Sequence, residues 1–276
     1  MPTLTANDGT QLAYHLGGDG PPLIVLPGGP MRASAYLGDL GGLSDHRTLV
    51  LLDLRGTGDS AVPADPATYR CDRLVDDVEA LRAHLGLERM DVLAHSAGGS
   101  LAMRYAARYP ARVASLSLIA VTPRALGMPA TAEDRLAAAR LREDEPWYGA
   151  AIGPFRAWPA GTGDFDPVFA PFFYGCWDDA ARAHFARDEV ETDDEAADVH
   201  GSPGAYDPPA THAALAAPVL VLTGALDGGP RPCLARRCAD AFPHAEAVVQ
   251  PGAGHYPWLD DPRWFVRRVA AFLGKG

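Results

Sequence analysis

The stretch from Asp91 to Ser100 reads DVLAHSAGGS. An apolar run stops at a serine, small residues follow, and helical spacing through Leu101 and Tyr105 then lasts until Pro110. The pattern predicts a strand that ends at Ser96 and a helix that starts at once. A serine on so tight a corner is held in a strained backbone conformation, with its hydroxyl projecting off the sheet, and it requires small neighbours. Ala94 stands two residues before it and Gly98 two after. The usual pattern has glycine in both places; alanine adds one methyl.

Similar apolar runs recur on both sides of this corner. Leu23 to Leu26, Leu49 to Leu52, VASLSLIAV, PVLVLTG and AEAVVQPG carry the signature of strands covered on both faces. TLTAND and QLAYHL, around Asn7-Asp8-Gly9, predict an opening hairpin. Helical patterns lie between the runs. In CDRLVDDVEALRAHLGL, Leu74, Val78, Leu81 and Leu85 share a face and Asp72 is placed to cap the start. RPCLARRCADAF and WFVRRVAAFL predict two late helices. Strands alternating with helices imply right-handed crossovers, a mostly parallel sheet and an α/β layered fold.

The alternation breaks between about Pro123 and Thr211, where no buried strand is expected. Ten of the chain's 23 aromatic residues fall between Trp147 and Trp177. We therefore expect a mostly helical cap over residues 124–211, inserted after the sixth strand and lying over the sheet's C-terminal edge. Residues 1–123 and 212–276 would form the core, and GSPGAYDPP the loop leading back to it.

Composition narrows the function. A chain of 276 residues that is 47% hydrophobic can bury a large core. The formal net charge of -11 argues against nucleic acid or an anionic membrane as partner, since both need a basic face. Cys71, Cys176, Cys233 and Cys238 show no metal-ligand spacing and read as scattered thiols of a reducing compartment. The N-terminus has no basic stretch followed by an apolar segment, so a cytoplasmic protein is expected. No cofactor or metal is implied. Nothing in the patterning speaks to oligomeric state.

Ligands of parallel sheets bind outside the carboxyl ends of the strands, and Ser96 sits at such an end. A serine hydroxyl is a weak nucleophile and needs a base. His255, in QPGAGHYPWLDDP, follows the last strand in a glycine-rich loop. Its imidazole needs an acceptor to fix its tautomer, and Asp227, in VLVLTGALDGGP, follows a buried strand at the same edge. The order Ser96, Asp227, His255 is one that hydrolases of this layered type use. Attack on a carbonyl also needs two N–H donors for the oxyanion. Ala97 and, in LPGGPM, Gly29 are the candidates, each contributing about 3 kcal/mol to the transition state. Gly28, His95, Trp147, Phe173, Tyr174, Trp177 and Tyr256 are candidate pocket residues, with His95 either a packing or a pocket-wall histidine. Asp53, Arg55, Asp59 and Ser60 in LLDLRGTGDS read as an ion-pair and turn network, because the glycine spacing is not that of a phosphate loop.

Taken in order, LPGGP, DLRGTGDS, AHSAGGSLAMRYAARYP, GALDGGP and GAGHYPWLDDP resemble the α/β-hydrolase superfamily, and more narrowly its proline-iminopeptidase-like branch. The resemblance covers the whole chain and implies the α/β-hydrolase fold, with a central sheet flanked by helices. In that branch the oxyanion loop usually reads His-Gly-Gly-Pro-Gly; here Pro27 and Met31 replace its ends. The corner usually reads Gly-Gly-Ser-Trp-Gly; here Ala94, His95 and Ala97 differ. Members of the branch hold a substrate amine with cap acids, and ARDEVETDDEAAD, from Ala186 to Asp198, is rich in acids. The expected function is a serine hydrolase acting on a small-molecule or short peptide-like substrate, as an aminopeptidase or amidase. An esterase, lactonase or thioesterase with an apolar acyl pocket is the alternative, and a non-catalytic binding protein on the same scaffold is a third.

Overall fold

The turn at Asn7-Asp8-Gly9 closes with Ala6 and Gly9 bonded across it, Gly9 having a φ of 91°. It joins β1 (Thr3–Thr5) to β2 (Gln11–Gly17), which pair antiparallel. In the computed structural model, which describes residues 1–128, 131–158, 165–207, 209–229 and 231–274, these strands open an eight-stranded sheet. The others are β3 (Pro22–Leu26), β4 (Thr48–Leu52), β5 (Met90–His95), β6 (Val113–Ile119), β7 (Val219–Gly224) and β8 (Ala245–Gln250). Their order is β1-β2-β4-β3-β5-β6-β7-β8. β2 pairs antiparallel with β4, and every later pairing is parallel.

The apolar runs are continuous because the sheet has a core on each face. Ile24, Leu26, Val50, Leu52, Val92, Leu116 and Val221 point to one side. Their partners are Leu74, Val78 and Leu81 of α1 (Cys71–His84), Leu101 and Tyr105 of α2 (Gly98–Arg108), and part of α8 (Pro232–Ala239). Leu23, Val25, Leu49, Leu93, Leu220 and Leu222 point to the other side, against Trp258 of α9 (Pro257–Asp260) and Phe265, Val269 and Phe272 of α10 (Pro262–Leu273). Each such fully buried side chain contributes roughly 1.5–3 kcal/mol. Pro262 opens α10, whose cap is Asp261 accepting from Trp264 N at 3.0 Å.

Two expectations need correcting. Asp72 does not cap α1: it lies inside the helix and its carboxylate is bonded to Arg70. β8 is an edge strand, with Val249 36% exposed, so its apolar run is not covered on both faces.

Between β6 and β7 the described residues form helices and turns. They hold α3 (Ala132–Ala139), α4 (Tyr148–Ala157), α5 (Asp179–Phe185), α6 (Asp188–Glu191) and α7 (Asp194–His200). A 3-10 segment, Pro167–Phe173, lies between α4 and α5. Phe155, Phe169, Phe172, Ala139 and Ala151 make a core of their own. Four of the segment's acids serve capping. Thr131 and Asp134 form a capping box on α3, and Asp166, Asp178 and Asp193 each accept from a helical N–H. Residues 129–130 and 159–164 of the expected cap, and Pro208 of the return loop, lie outside the described residues. Among those described, no helix is long and apolar enough to cross a membrane.

Candidate active site

Ser96 has a φ of 52°, in the left-handed region that costs a non-glycine residue roughly 1–2 kcal/mol. Its surroundings enforce the strain. Ser96 N donates to Ile119 O on β6, and Gly99 N donates to Ser96 O, each at 3.0 Å. A Cβ at Gly98 would collide with the Pro27 carbonyl, and one at Gly99 with the side chain of Val121. A Cβ at Gly28 would lie 2.7 Å from Ser96 Cβ. Ala94, by contrast, is buried within β5 opposite Leu26 and Leu118, where its methyl fits.

The loops after β7 and β8 meet at this corner. Leu226 N donates to Ala253 O at 2.8 Å, and Ala225 N to Gln250 O at 3.0 Å, which sets the two loops side by side. Ser96 Oγ lies 2.9 Å from His255 Nε2, and His255 Nδ1 lies 2.9 Å from Asp227 Oδ2. Asp227 is fully buried, and its other oxygen accepts from Gly229 N at 2.7 Å. An ionised carboxylate only accepts, so Nδ1 carries the proton and Nε2 offers a lone pair to the serine O–H. Among the described residues the amides of Ala97 and Gly29 donate to no other group, and Gly29, with a φ of 117°, is exposed.

The candidate pocket residues separate into two sets. The rings of Phe173 and Tyr256 are half-buried, with centroids 5.8 and 5.3 Å from that of His255. Trp147 packs on Phe172 beneath the Arg142 guanidinium, and Trp177 packs between Tyr174 and Phe185; neither has a ring contact with His255. Two expectations are corrected. Gly28 is buried and its N–H is committed to Tyr36 Oη at 2.7 Å. Tyr174 is 2% exposed, its hydroxyl held by His184 Nδ1 at 2.8 Å. Of the two readings of His95, the structure fits packing and not pocket wall: it is 1% exposed, and both its ring nitrogens are engaged behind the site. Neighbours in a strand face opposite ways, so a residue beside the nucleophile points away from the substrate.

Acids of the Ala186–Asp198 run are also committed. Arg32, 2% exposed, bonds Asp188 at 2.7 Å and Glu191 at 2.7 and 2.9 Å, and its guanidinium lies 4.4 Å from the Tyr36 ring centre. Asp193 caps α7; Glu189, Asp194, Glu195 and Asp198 face solvent. Behind the oxyanion loop, buried Asp53 accepts from Ser34 N, Ser34 Oγ, Asp59 N and, on this geometry, His15 Nε2. Arg55 bridges Asp77 and Asp8, so this region is the expected ion-pair network.

Sequence reasoning missed Arg32, Tyr36 and Asp260. Asp260 accepts from Gly175 N at 2.9 Å and from Gly254 N at 2.8 Å, joining the helical insertion to the loop of His255. Burial raises its pKa, partly offset by those N–H bonds. Its only signal was an aspartate five residues after the histidine.

Residues 21–262 match the family model for the alpha/beta hydrolase fold. A proline iminopeptidase of Lactobacillus helveticus is 40% identical over 102 residues, which is 36% of this chain and 35% of that protein's own length. The proline iminopeptidase of Levilactobacillus brevis is 27% identical over 274 residues, 91% of this chain and 88% of its own. The solved proline iminopeptidase of Mycobacterium smegmatis superposes with a TM-score of 0.73 at 26% identity, covering 99% of this chain and 98% of that one. The chain thus belongs to the α/β-hydrolase family, and within it the chain is similar to proline iminopeptidases.

Proposed function

We propose that the protein is a serine hydrolase working through an acyl-enzyme. Ser96 Oγ attacks the acyl carbon while His255 Nε2 takes its proton, and Asp227 stabilises the imidazolium. The carbonyl electrons move onto oxygen, which the Ala97 and Gly29 N–H groups receive. Collapse expels the leaving group, which takes the proton back from His255. Water then repeats the sequence in reverse and frees Ser96. The observation that carries this reading is the pair of 2.9 Å contacts joining Ser96, His255 and Asp227. No cofactor enters the scheme, and the acidic chain is assigned a small neutral or cationic substrate, not a polyanion.

Two substrate classes follow from different observations. The named relatives favour release of an N-terminal residue from a short peptide or amide. A second reading, ester or lactone cleavage, is favoured by Arg32, which already pairs with Asp188 and the largely buried Glu191, acids that could have held an amine. A fluorophosphonate probe tests the parent reading: wild type labels and Ser96→Ala does not, and equal labelling of both removes Ser96 as nucleophile. Prolyl arylamides assayed beside nitrophenyl esters separate the classes. The peptidase reading requires the arylamide to be turned over.

A further inference from the structure

We propose that His95 and Tyr36 are positioning residues that tie the oxyanion loop to the loop carrying the base, through one buried chain of hydrogen bonds. The inference rests on the serine-hydrolase reading above and adds residues that the reading does not use.

The polar atoms permit a single assignment. His95 Nε2 lies 2.9 Å from the main-chain oxygen of His255. A carbonyl only accepts, so Nε2 bears the hydrogen, and Nδ1 is then the acceptor. Tyr36 Oη lies 2.7 Å from Nδ1 and must donate to it. The same Tyr36 oxygen, its hydrogen used, accepts from Gly28 N at 2.7 Å. The chain therefore runs from Gly28 N–H through the Tyr36 hydroxyl and the His95 ring to His255 O. One end lies a residue before the proposed oxyanion donor Gly29; the other is on the base itself. The middle is the residue preceding the nucleophile.

The surroundings hold the direction of the chain. Burial, and next the nearby His255, keep His95 well below the usual imidazole range, so it stays neutral. Burial likewise pushes the Tyr36 hydroxyl far up, so it keeps its proton. Trp258 stands edge-on to the His95 ring at 4.8 Å, and the His255 ring lies 4.8 Å on another side. Asp227 fixes how the His255 ring is turned; this chain fixes where its main chain sits relative to Ser96. Cutting one link leaves a buried N–H or C=O without a partner.

The test compares His95→Leu, His95→Gln and Tyr36→Phe with wild type, on whichever substrate wild type cleaves. Displacement of the base by a fraction of an ångström should lower kcat of His95→Leu by about 100-fold, with KM changed less than about threefold. His95→Gln, whose amide N–H reaches towards His255 O, should recover at least about tenfold of that loss. Tyr36→Phe removes one oxygen without disturbing packing and should cost about tenfold. In wild type, nitrogen-edited NMR should find His95 as the Nε2–H tautomer, its signal constant as pH is varied. Wild-type kcat in both His95→Leu and Tyr36→Phe, a loss carried by KM, no advantage of Gln over Leu, or a titrating His95 would each overturn the proposal. A wild type that neither labels nor turns over substrate overturns the parent reading as well; one that labels while His95→Leu labels equally fast overturns this one alone.

Discussion

The serine corner and the Phe172–Cys176 segment of the insertion both press on His255, by opposite means. The corner presents a side chain, Ser96 Oγ, on a backbone twisted to a φ of 52°. The segment presents its main chain: Phe173 O accepts from His255 N at 2.7 Å, and Phe172 O accepts from Gly228 N at 2.9 Å. Its Gly175 N meets Asp260, which also holds Gly254 N. Chemistry requires particular functional groups, so the corner writes a motif. Bracing requires only carbonyls, amides and room for close approach, so the segment writes almost none. Room is supplied by glycines: a Cβ at Gly254 would lie 2.6 Å from Phe173 O, and one at Gly228 2.7 Å from Phe172 O.

The largest expected effect breaks the corner's side of the comparison. Ser96→Ala or His255→Ala should each lower kcat by about a million-fold, and Asp227→Asn by about ten-thousand-fold, on a nitrophenyl ester. Near-wild-type turnover in any of them would show that the corner is not where the chemistry occurs. Next comes the latch between the insertion and the oxyanion loop. Arg32→Met leaves Asp188 without its partner and Glu191 with Arg187 alone, and should destabilise the fold by about 3 kcal/mol in urea titration. The same variant should shift preference towards amine-bearing arylamides; an unchanged arylamide-to-ester ratio would show that those acids do not face the substrate.

Gly254→Ala addresses the segment's side. Its Cβ must displace the Phe173 carbonyl or the His255 loop, so kcat should fall about 100-fold with the corner untouched. If kcat is retained while thermal stability drops, the segment braces the fold and not the base.

The smallest effect lies far from both regions. Burial raises the Asp8 carboxyl pKa, but its bonds to Arg55 and to Thr10 N outweigh that and lower it to about 2. A carboxylate depressed on folding stabilises above its unfolded pKa of 3.8 and loses that contribution as pH falls through 2. Because Asp8 is partly exposed, Asp8→Asn should lower Tm by only about 2 °C at pH 7, with the gap to wild type closing between about pH 4 and pH 2. A gap independent of pH would remove the Arg55 pairing as its cause.

The legibility of the molecule follows the same division. Continuous apolar runs announced strands covered on both faces, and only the edge strand β8 departed from that, because nothing local marks a strand as last. The spacing of Ser96, Asp227 and His255 at strand ends could be read because each sits beside its own strand in the chain. His95 was the instructive case. Strand alternation left packing and pocket wall both open for it, and the fold decided for packing, with partners 59 and 160 positions away engaging both nitrogens.

By itself, the amino-acid sequence determined the alternation of strands and helices, the need for small residues around Ser96 and the order of the three reacting groups. Each of these depends on periodicity or on sterics among near neighbours. The folded structure alone decided that Arg32 occupies the acids of α6, that Asp260 joins the insertion to the His255 loop, and that Tyr36 and His95 lie on one hydrogen-bonded path. Those choices hinge on burial and on main-chain atoms of distant segments, and a carbonyl or amide is the same whatever residue carries it.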